Sequence, residues 1–381
     1  MEKFFFDVII VGGGLAGLTS SIHLSSLQKQ VLLIEKQGYP RHRVCGEYVS
    51  NEVLPYLMSL GISPIEKGAK KITEVHFSTS KSELIKSTLP VGGFGISRFF
   101  FDNLLMKKAC LNGVRIIQDT VDSIDFIEDK FYAKTNNSGT FYGKVAIGAF
   151  GKRSSLDHKM KRKFTQKKSP YLAVKTHAIG SFPENLVALH NFNGGYCGVS
   201  KVETDIINLC YISDYKSFKK YKNVKTFQEQ VVFKNDFLRK IFKETKPVFD
   251  KPLTISQISF EKKKPVENHV IMCGDSAGMI HPLCGNGMAM AIISAQIASK
   301  RIIEFLNGEI KSREILEKHY IRDWNRKFRI RLKTGRLIAW LLRNQLISQF
   351  MYLSLKLIPS LLPKIIRLTH GKKTSNYELF N

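Results

Sequence analysis

The sequence predicts an α/β chain: a doubly wound, Rossmann-type unit, a mixed β-sheet domain inserted into it, and a helical tail. Three observations predict it. Asp7 to Lys36 reads as strand, glycine turn, helix and strand. A second buried strand, Val270 to Cys273, returns late in the chain and leads through a glycine-rich loop into a long helix. Between them, residues 72–97 and 170–262 carry strand-like patterns separated by turn residues.

In the first stretch, the apolar run Val8 to Val11 is a buried strand that breaks at Gly12-Gly13-Gly14. A helix pattern follows from Leu15 to about Leu27, and the strand Val31 to Ile34 ends at an acid, Glu35. Gly12, Gly14 and Gly17 stand in the G-x-G-x-x-G spacing, in the strand–turn–helix–strand setting that gives this spacing meaning. Gly12 permits the tight turn, Gly14 lets a pyrophosphate approach the backbone, and Gly17 lets the helix pack close to the strand. Ala16, in the same turn, joins the candidate contacts. The helix start offers free N–H groups and about half a positive charge to phosphate. Glu35 falls where a carboxylate would accept hydrogen bonds from a ribose. The bland alternative is a glycine turn kept only for packing.

After Glu35, Gly38 and Pro40 mark a loop that holds Arg41, Arg43, Cys45, Gly46 and Glu47. Its two arginines are placed to reach phosphate. A helix starts near Ser50, with Ser50 or Asn51 as cap. Strands are expected at Ile72–Ser78 and Glu83–Leu89. A helix follows Arg98 and stops at Gly113. Four strands come next, at Val114–Ile117, Val121–Ile127, Phe131–Thr135 and Phe141–Ile147, with a hairpin turn at residues 136–139. Lys152 to Lys168 is a basic connector. Tyr171 to Ser213 is strand-like, Phe218 to Lys246 helical, and Leu253 to Phe260 a strand again. Asp275 lies at the C-terminal end of its strand, where ligands bind in open α/β sheets. Pro282 and Gly285-Asn286-Gly287 then open an Ala-rich helix to Leu306, a second anion-ready N-terminus. The remainder is helical and basic, broken by Pro359 and Pro363. Residues 1–71, 98–169 and 263–310 form the dinucleotide unit, 72–97 and 170–262 the sheet domain, and 311–381 the tail.

Composition narrows the class. Apolar residues make up 43 % of the 381, enough for substantial cores. The chain starts on a core strand, so no signal peptide is expected. No uncharged apolar run reaches the ~18 residues a spanning helix needs. Six cysteines without metal-ligand spacing argue against a disulfide framework or a zinc site and for a reducing cytoplasm. The net charge of +27 favours anionic partners or only solvates the surface.

These motifs together resemble the FAD-dependent oxidoreductases that include the aromatic hydroxylases, geranylgeranyl reductases and flavin halogenases. The resemblance covers most of residues 5–310. Its specific part is the early G-x-G-x-x-G paired with the late stretch Gly274-Asp275-Ser276-Ala277-Gly278, Pro282 and Gly285-Asn286-Gly287. It implies a Rossmann-type FAD-binding domain. It also implies that Asp275 binds the ribityl chain and that Pro282, Gly285, Gly287 and Met288 lie along the isoalloxazine ring. Arg98 would touch the FAD, Cys45 and Gly46 match a loop of the reductase and halogenase branches, and Val121 sits on the strand that meets the adenine. One position departs: the middle motif, usually A-D-G, reads Ala149-Phe150-Gly151. NAD(P)H is carried as a candidate reductant, and Phe150 counts against its direct use.

The expected activity is a monooxygenase acting on an apolar or phenolic small molecule. The alternative is a reductase of isoprenoid double bonds. Tyr196 and His281 are the catalytic candidates, each with a structural role as the competing reading. A third reading is a flavin-binding partner without turnover. The motifs assign no role to nucleic acid. Arg322, Arg326, Arg329, Lys333 and Arg336 recur every three or four residues, so they share one helix side. With the apolar run after Leu337 they point to an anionic membrane surface, at the inner face of the membrane, against the competing reading of helices that merely cap the substrate domain.

Overall fold

The computed structural model describes residues 5–371, apart from Lys168, Lys222, Gln257 and Asn344. Phe5–Val11 is a central strand of the first sheet. It runs parallel to Val31–Glu35 on one side and to Thr140–Gly148 on the other, with Val8 opposite both Val31 and Val145. Arg115–Gln118 and Val270–Met272 extend the parallel set outward. Val31–Glu35 is buried at every position, the pattern of parallel strands covered on both faces. The hairpin of Val121–Ile127 and Lys130–Thr135 adds an antiparallel flank against Thr140–Gly148. Helix Leu15–Ser26 packs beside Arg98–Leu111 and Gly287–Leu306.

The second sheet is mixed. Leu186–Phe192 runs parallel to Lys70–Ser78, and its other pairs are antiparallel. Tyr48–Ser50 also joins it, pairing with residues 93–95. The sheet thus recruits three residues from the stretch expected in the dinucleotide unit, because the loop after Glu35 reaches across the gap. Alternation along the strands separates two faces. Val174, Leu209 and Tyr211 pack onto Phe227 and Leu238 of short outer helices. Ala173, Tyr196 and Ile212 face the other way and meet Met279 of the first unit. The helical stretch expected over residues 218–246 is broken into Tyr215–Lys219, Val224–Gln230 and Asp236–Glu244. Asp214, Asn223 and Asn235 each accept a backbone N–H and so start a new helix.

The C-terminal part comprises helices Arg313–Arg343, Gln345–Leu357 and Leu361–Thr369. Leu316, Tyr320, Trp324, Phe328 and Leu332 recur every four residues and bury one ridge in the first unit's core. The Tyr320 hydroxyl donates to the Met272 carbonyl at 2.5 Å. Tyr352 and Leu355 pack on Ile85 of the second sheet, so the tail bridges both sheets. Pro359 falls in a break, as expected. Pro363 does not break anything: it lies in the first turn of Leu361–Thr369, where an N–H has no intrahelical partner to lose. Residues 372–381 of the expected tail lie outside the described residues. No described helix is long and apolar enough to cross a membrane.

A buried ion pair clamps this tail in place. Arg331 donates to both Glu52 oxygens at 3.0 Å, and both side chains are buried. The Asn286 amide donates to the same carboxylate at 3.0 Å and to the Thr369 carbonyl at 2.8 Å. Removing one partner strands a buried charge. We expect Arg331→Ala to destabilise the fold by about 3–5 kcal/mol, read as a shift of the denaturant midpoint. An Arg331→Met/Glu52→Leu double variant should recover most of the loss. An Arg331→Ala protein as stable as the parent would refute the clamp.

Candidate functional site

A single cavity of about 750 Å³ runs from the glycine turn, between the two sheets, to the C-terminal helices. At its start Gly12 has φ +106°, and a Cβ there would lie 2.4 Å from the Ala149 carbonyl oxygen. A Cβ on Gly14 would meet only Arg98, at 3.6 Å, so the backbone at Gly14 is open to the cavity. Gly14 caps helix Leu15–Ser26 without a side-chain hydrogen bond. The first-turn N–H groups are therefore available to an anion. Ala16 lines the cavity. Gly17 does not: a Cβ on it would lie 1.9 Å from the Gly12 carbonyl oxygen, which makes it a packing position rather than a contact.

Glu35 is buried and already oriented. It accepts N–H bonds from Gly13 at 2.7 Å and Gln37 at 3.1 Å, with Arg41 at 3.0 Å and Arg43 at 3.5 Å. Arg43 lies between Glu35 and Asp102, 3.6 Å from the latter, and lines the cavity. Arg98 grips Asp102 with two bonds of 2.7 Å. Burial disfavours the Arg98 charge, but Asp102 outweighs burial and holds the guanidinium charged. Cys45, Gly46 and Val121 are also in the wall, Val121 beside Asp119 and Thr120.

At the opposite wall, Asp275 lies in the turn Gly274–Ser276, and its carbonyl accepts from Lys263 Nζ at 2.7 Å. Pro282, Gly285, Gly287 and Met288 line the cavity as well, with Gly285 in the left-handed region at φ +63°. Helix Gly287–Leu306 starts without a side-chain cap, because the Asn286 side chain turns to Glu52 and Thr369. Two uncapped helix N-termini, Leu15–Ser26 and Gly287–Leu306, thus border one cavity. With the open backbone at Gly14 and the carboxylates of Glu35 and Asp275, the lining fits a dinucleotide that carries a flat ring.

The two catalytic candidates separate. Tyr196 lines the cavity, and burial pushes its phenol well above the ordinary value, so it stays protonated. His281 is outside the lining. Its ring packs 4.8 Å from Phe260, and its Nδ1 accepts from the Leu283 amide at 3.4 Å. Phe150 lines the cavity next to Gly151, where the resemblance leads one to expect a carboxylate.

Sequence reasoning missed a buried network beneath the loop. Glu47 is fully buried and accepts from the Arg98 backbone N–H at 2.7 Å. The Lys175 ammonium donates to it, and His177 Nε2 lies 2.7 Å away. Lys175 also donates to the Arg43 carbonyl at 3.1 Å. Burial alone would raise the Glu47 carboxyl; Lys175 and His177 outweigh it and hold it below its ordinary value. A signal existed, since Lys175 and His177 sit two apart on an apolar strand and so share one face. Nothing nearby in the chain identifies their partner.

The far end of the cavity is apolar. Val75, Phe77 and Leu189 from the second sheet face Tyr352, Leu355 and Ile365 from the C-terminal helices.

The chain is similar to known flavoproteins in sequence and in fold. Residues 7–43 match the FAD binding domain family, and residues 208–352 match the squalene epoxidase family. The chain is 24% identical to the digeranylgeranylglycerophospholipid reductase of Methanococcus aeolicus over 344 residues, which covers 85% of this chain and 83% of that one. A flavin-dependent brominase superposes with a TM-score of 0.79 at 20% identity, over 96% of this chain and 93% of the other. A geranylgeranyl bacteriochlorophyll reductase-like protein from Thermoplasma acidophilum gives 0.74 at 18% identity, over 97% and 93%. At such identities the structural likeness shows the fold.

Two expectations follow. Gly14→Val should abolish FAD binding by filling the open backbone, while Glu35→Ala should weaken it modestly; flavin absorbance of the purified variants decides. For Glu47, a carboxyl held low in the fold contributes stability that is complete above its unfolded value and lost as pH falls through the folded one. Glu47→Gln should therefore be less stable than the parent at neutral pH, by about 3–5 kcal/mol, with a flatter loss towards acid. Equal stability at pH 7 would rule this out.

Proposed function

We propose that this chain is a member of the FAD-dependent oxidoreductase superfamily of aromatic hydroxylases, geranylgeranyl reductases and flavin halogenases, and that it saturates double bonds of a long isoprenoid chain. The observation that carries the proposal is the apolar end of the cavity, walled by Phe77, Leu189, Tyr352, Leu355 and Ile365. A phenol-sized substrate needs no such extension; an isoprenoid tail does. The match to a digeranylgeranylglycerophospholipid reductase over 85% of this chain supports it.

Bound FAD, once reduced, supplies the hydride for one alkene carbon. The chain's own part is to hold, dry and orient. Gly14 and the Leu15–Ser26 N-terminus would hold the pyrophosphate, and Asp275 the sugar-like chain. The uncapped N-terminus of Gly287–Leu306 would favour negative charge developing on a ring bound beside it. The apolar walls exclude water. Tyr196 is the candidate to give the proton to the second alkene carbon, and solvent restores it. His281 takes no part in this scheme.

Hydroxylation, which the sequence places first, becomes the second reading. The match of residues 208–352 to the squalene epoxidase family favours oxygen transfer to the same kind of chain. With Phe150 in the middle motif, we propose a separate protein or chemical donor rather than direct NAD(P)H. Anaerobic incubation of chemically reduced protein with a geranylgeranyl lipid should give products heavier by two hydrogens per bond. A product heavier by one oxygen, formed only in air, would overturn the reductase in favour of the epoxidase reading. Reaction with neither lipid nor oxygen would leave the flavin-binding partner.

A further inference from the structure

Helix Gln345–Leu357 is apolar on two sides. Tyr352 and Leu355 are buried against Ile85 and border the cavity. On the other side Phe350, Leu353 and Leu357 are 71%, 52% and 72% exposed. They stand at positions i, i+3 and i+7, one stripe of a helix. A helix with an apolar outer stripe needs something apolar beyond it. The neighbouring helix Arg313–Arg343 repeats the pattern: Ile330, Leu337 and Trp340 are exposed and lie on one side. Arg322, Arg326, Arg329, Lys333 and Arg336 are exposed on the same helix. From Trp324 to Gly371 the sequence contains no acid. The buried cations Arg313 and Arg331 of this helix face inward and are paired with Asp129 and Glu52.

We propose that this outer face seats the protein on an anionic membrane surface, with helix Gln345–Leu357 as the partition between lipid and cavity. Apolar side chains flanked by arginine and lysine suit the boundary between headgroups and acyl chains, where tryptophan also settles. Since no described helix can span, the helices lie in the plane of the interface. Charge decides between lipid and a second copy of the chain. Two copies, each at +27, would bring two cationic faces together. The docking is independent of the reaction proposed above, because it is read without turnover. It does give a lipid substrate a short path, across one helix, into the apolar end of the cavity.

The test is flotation of the FAD-loaded full chain with vesicles of phosphatidylcholine alone or mixed with phosphatidylglycerol. The parent should float with the anionic vesicles at low salt and much less with neutral ones. The triple variant Phe350→Ser/Leu353→Ser/Leu357→Ser should lose binding by about tenfold or more. So should Arg329→Glu/Arg336→Glu, whose charges lie on the other helix. Both should keep the FAD content and melting temperature of the parent, since none of these side chains lines the cavity. Trp340 emission should shift to the blue on vesicle addition; the other tryptophan, Trp324, is already buried. A parent that stays behind at low salt overturns the proposal. So does a triple variant that floats as well as the parent. A parent that dimerises through this face, ignores vesicles and is made monomeric by the triple substitution overturns it in favour of a second copy.

Discussion

The buried carboxylate of Glu47 ties the two halves of this protein together. It accepts from the backbone that opens helix Arg98–Leu111 and from Lys175 and His177 on the second sheet. A carboxylate with no water must find its full complement of donors, or the fold cannot keep it charged. Here the donors come from two places in the chain, the start of helix Arg98–Leu111 and the strand Tyr171–Ile179, so the charge is satisfied only when both are assembled on the loop. The loop from Arg41 to Glu47 is thereby drawn across the gap, and Tyr48–Ser50 becomes a strand of the second sheet. Arg43, Cys45 and Gly46 reach the cavity wall as a consequence.

The same logic governs the tail. Glu52 lies only five residues after Glu47, yet its partners are Arg331 and Asn286. Together the two acids pin one short segment to the second sheet below and to the C-terminal helices above. The cavity is the space left between these attachments. Because Asn286 is engaged by Glu52 and not by its own helix, the first N–H groups of Gly287–Leu306 remain uncapped by a side chain. A structural ion pair and an anion-ready helix start are thus two aspects of one arrangement. The tail is not an appendage, since its helices supply much of the apolar end of the cavity.

Electrostatics and dryness divide along the length of that cavity. Arginines, carboxylates and helix N-termini line the end near Gly14 and Glu35, where phosphate and ribose chemistry needs them. The end near Leu355 and Ile365 offers almost nothing polar. Reduction of an alkene and transfer of oxygen to one require the same separation, a charged cofactor in a polar cleft and a greasy partner beside it. The fold alone therefore does not choose between them, which is why the choice rests on the substrate tunnel and on chemistry in the presence or absence of air.

The sequence by itself determined the local structure. The glycine spacing at Gly12, Gly14 and Gly17, the buried strands, the hairpin at residues 136–139 and the helix from Gly287 to Leu306 are all legible, because each depends on residues a few positions apart. Helix caps are partly legible: Asn223 and Asn235 are recognisable cap residues, yet the charged pattern around them predicts one helix. Pro363 predicts a break from sequence alone, although proline in the first turn of a helix is harmless. What only the tertiary structure decided is which distant groups meet. Nothing in the neighbourhood of Lys175 points to Glu47, 128 residues away, and nothing near Arg331 points to Glu52, 279 residues away. Hydrophobic period and turn chemistry encode backbone conformation over a few residues. The pairing of buried charges is encoded only in the packed fold, because it depends on which surfaces exclude water from one another.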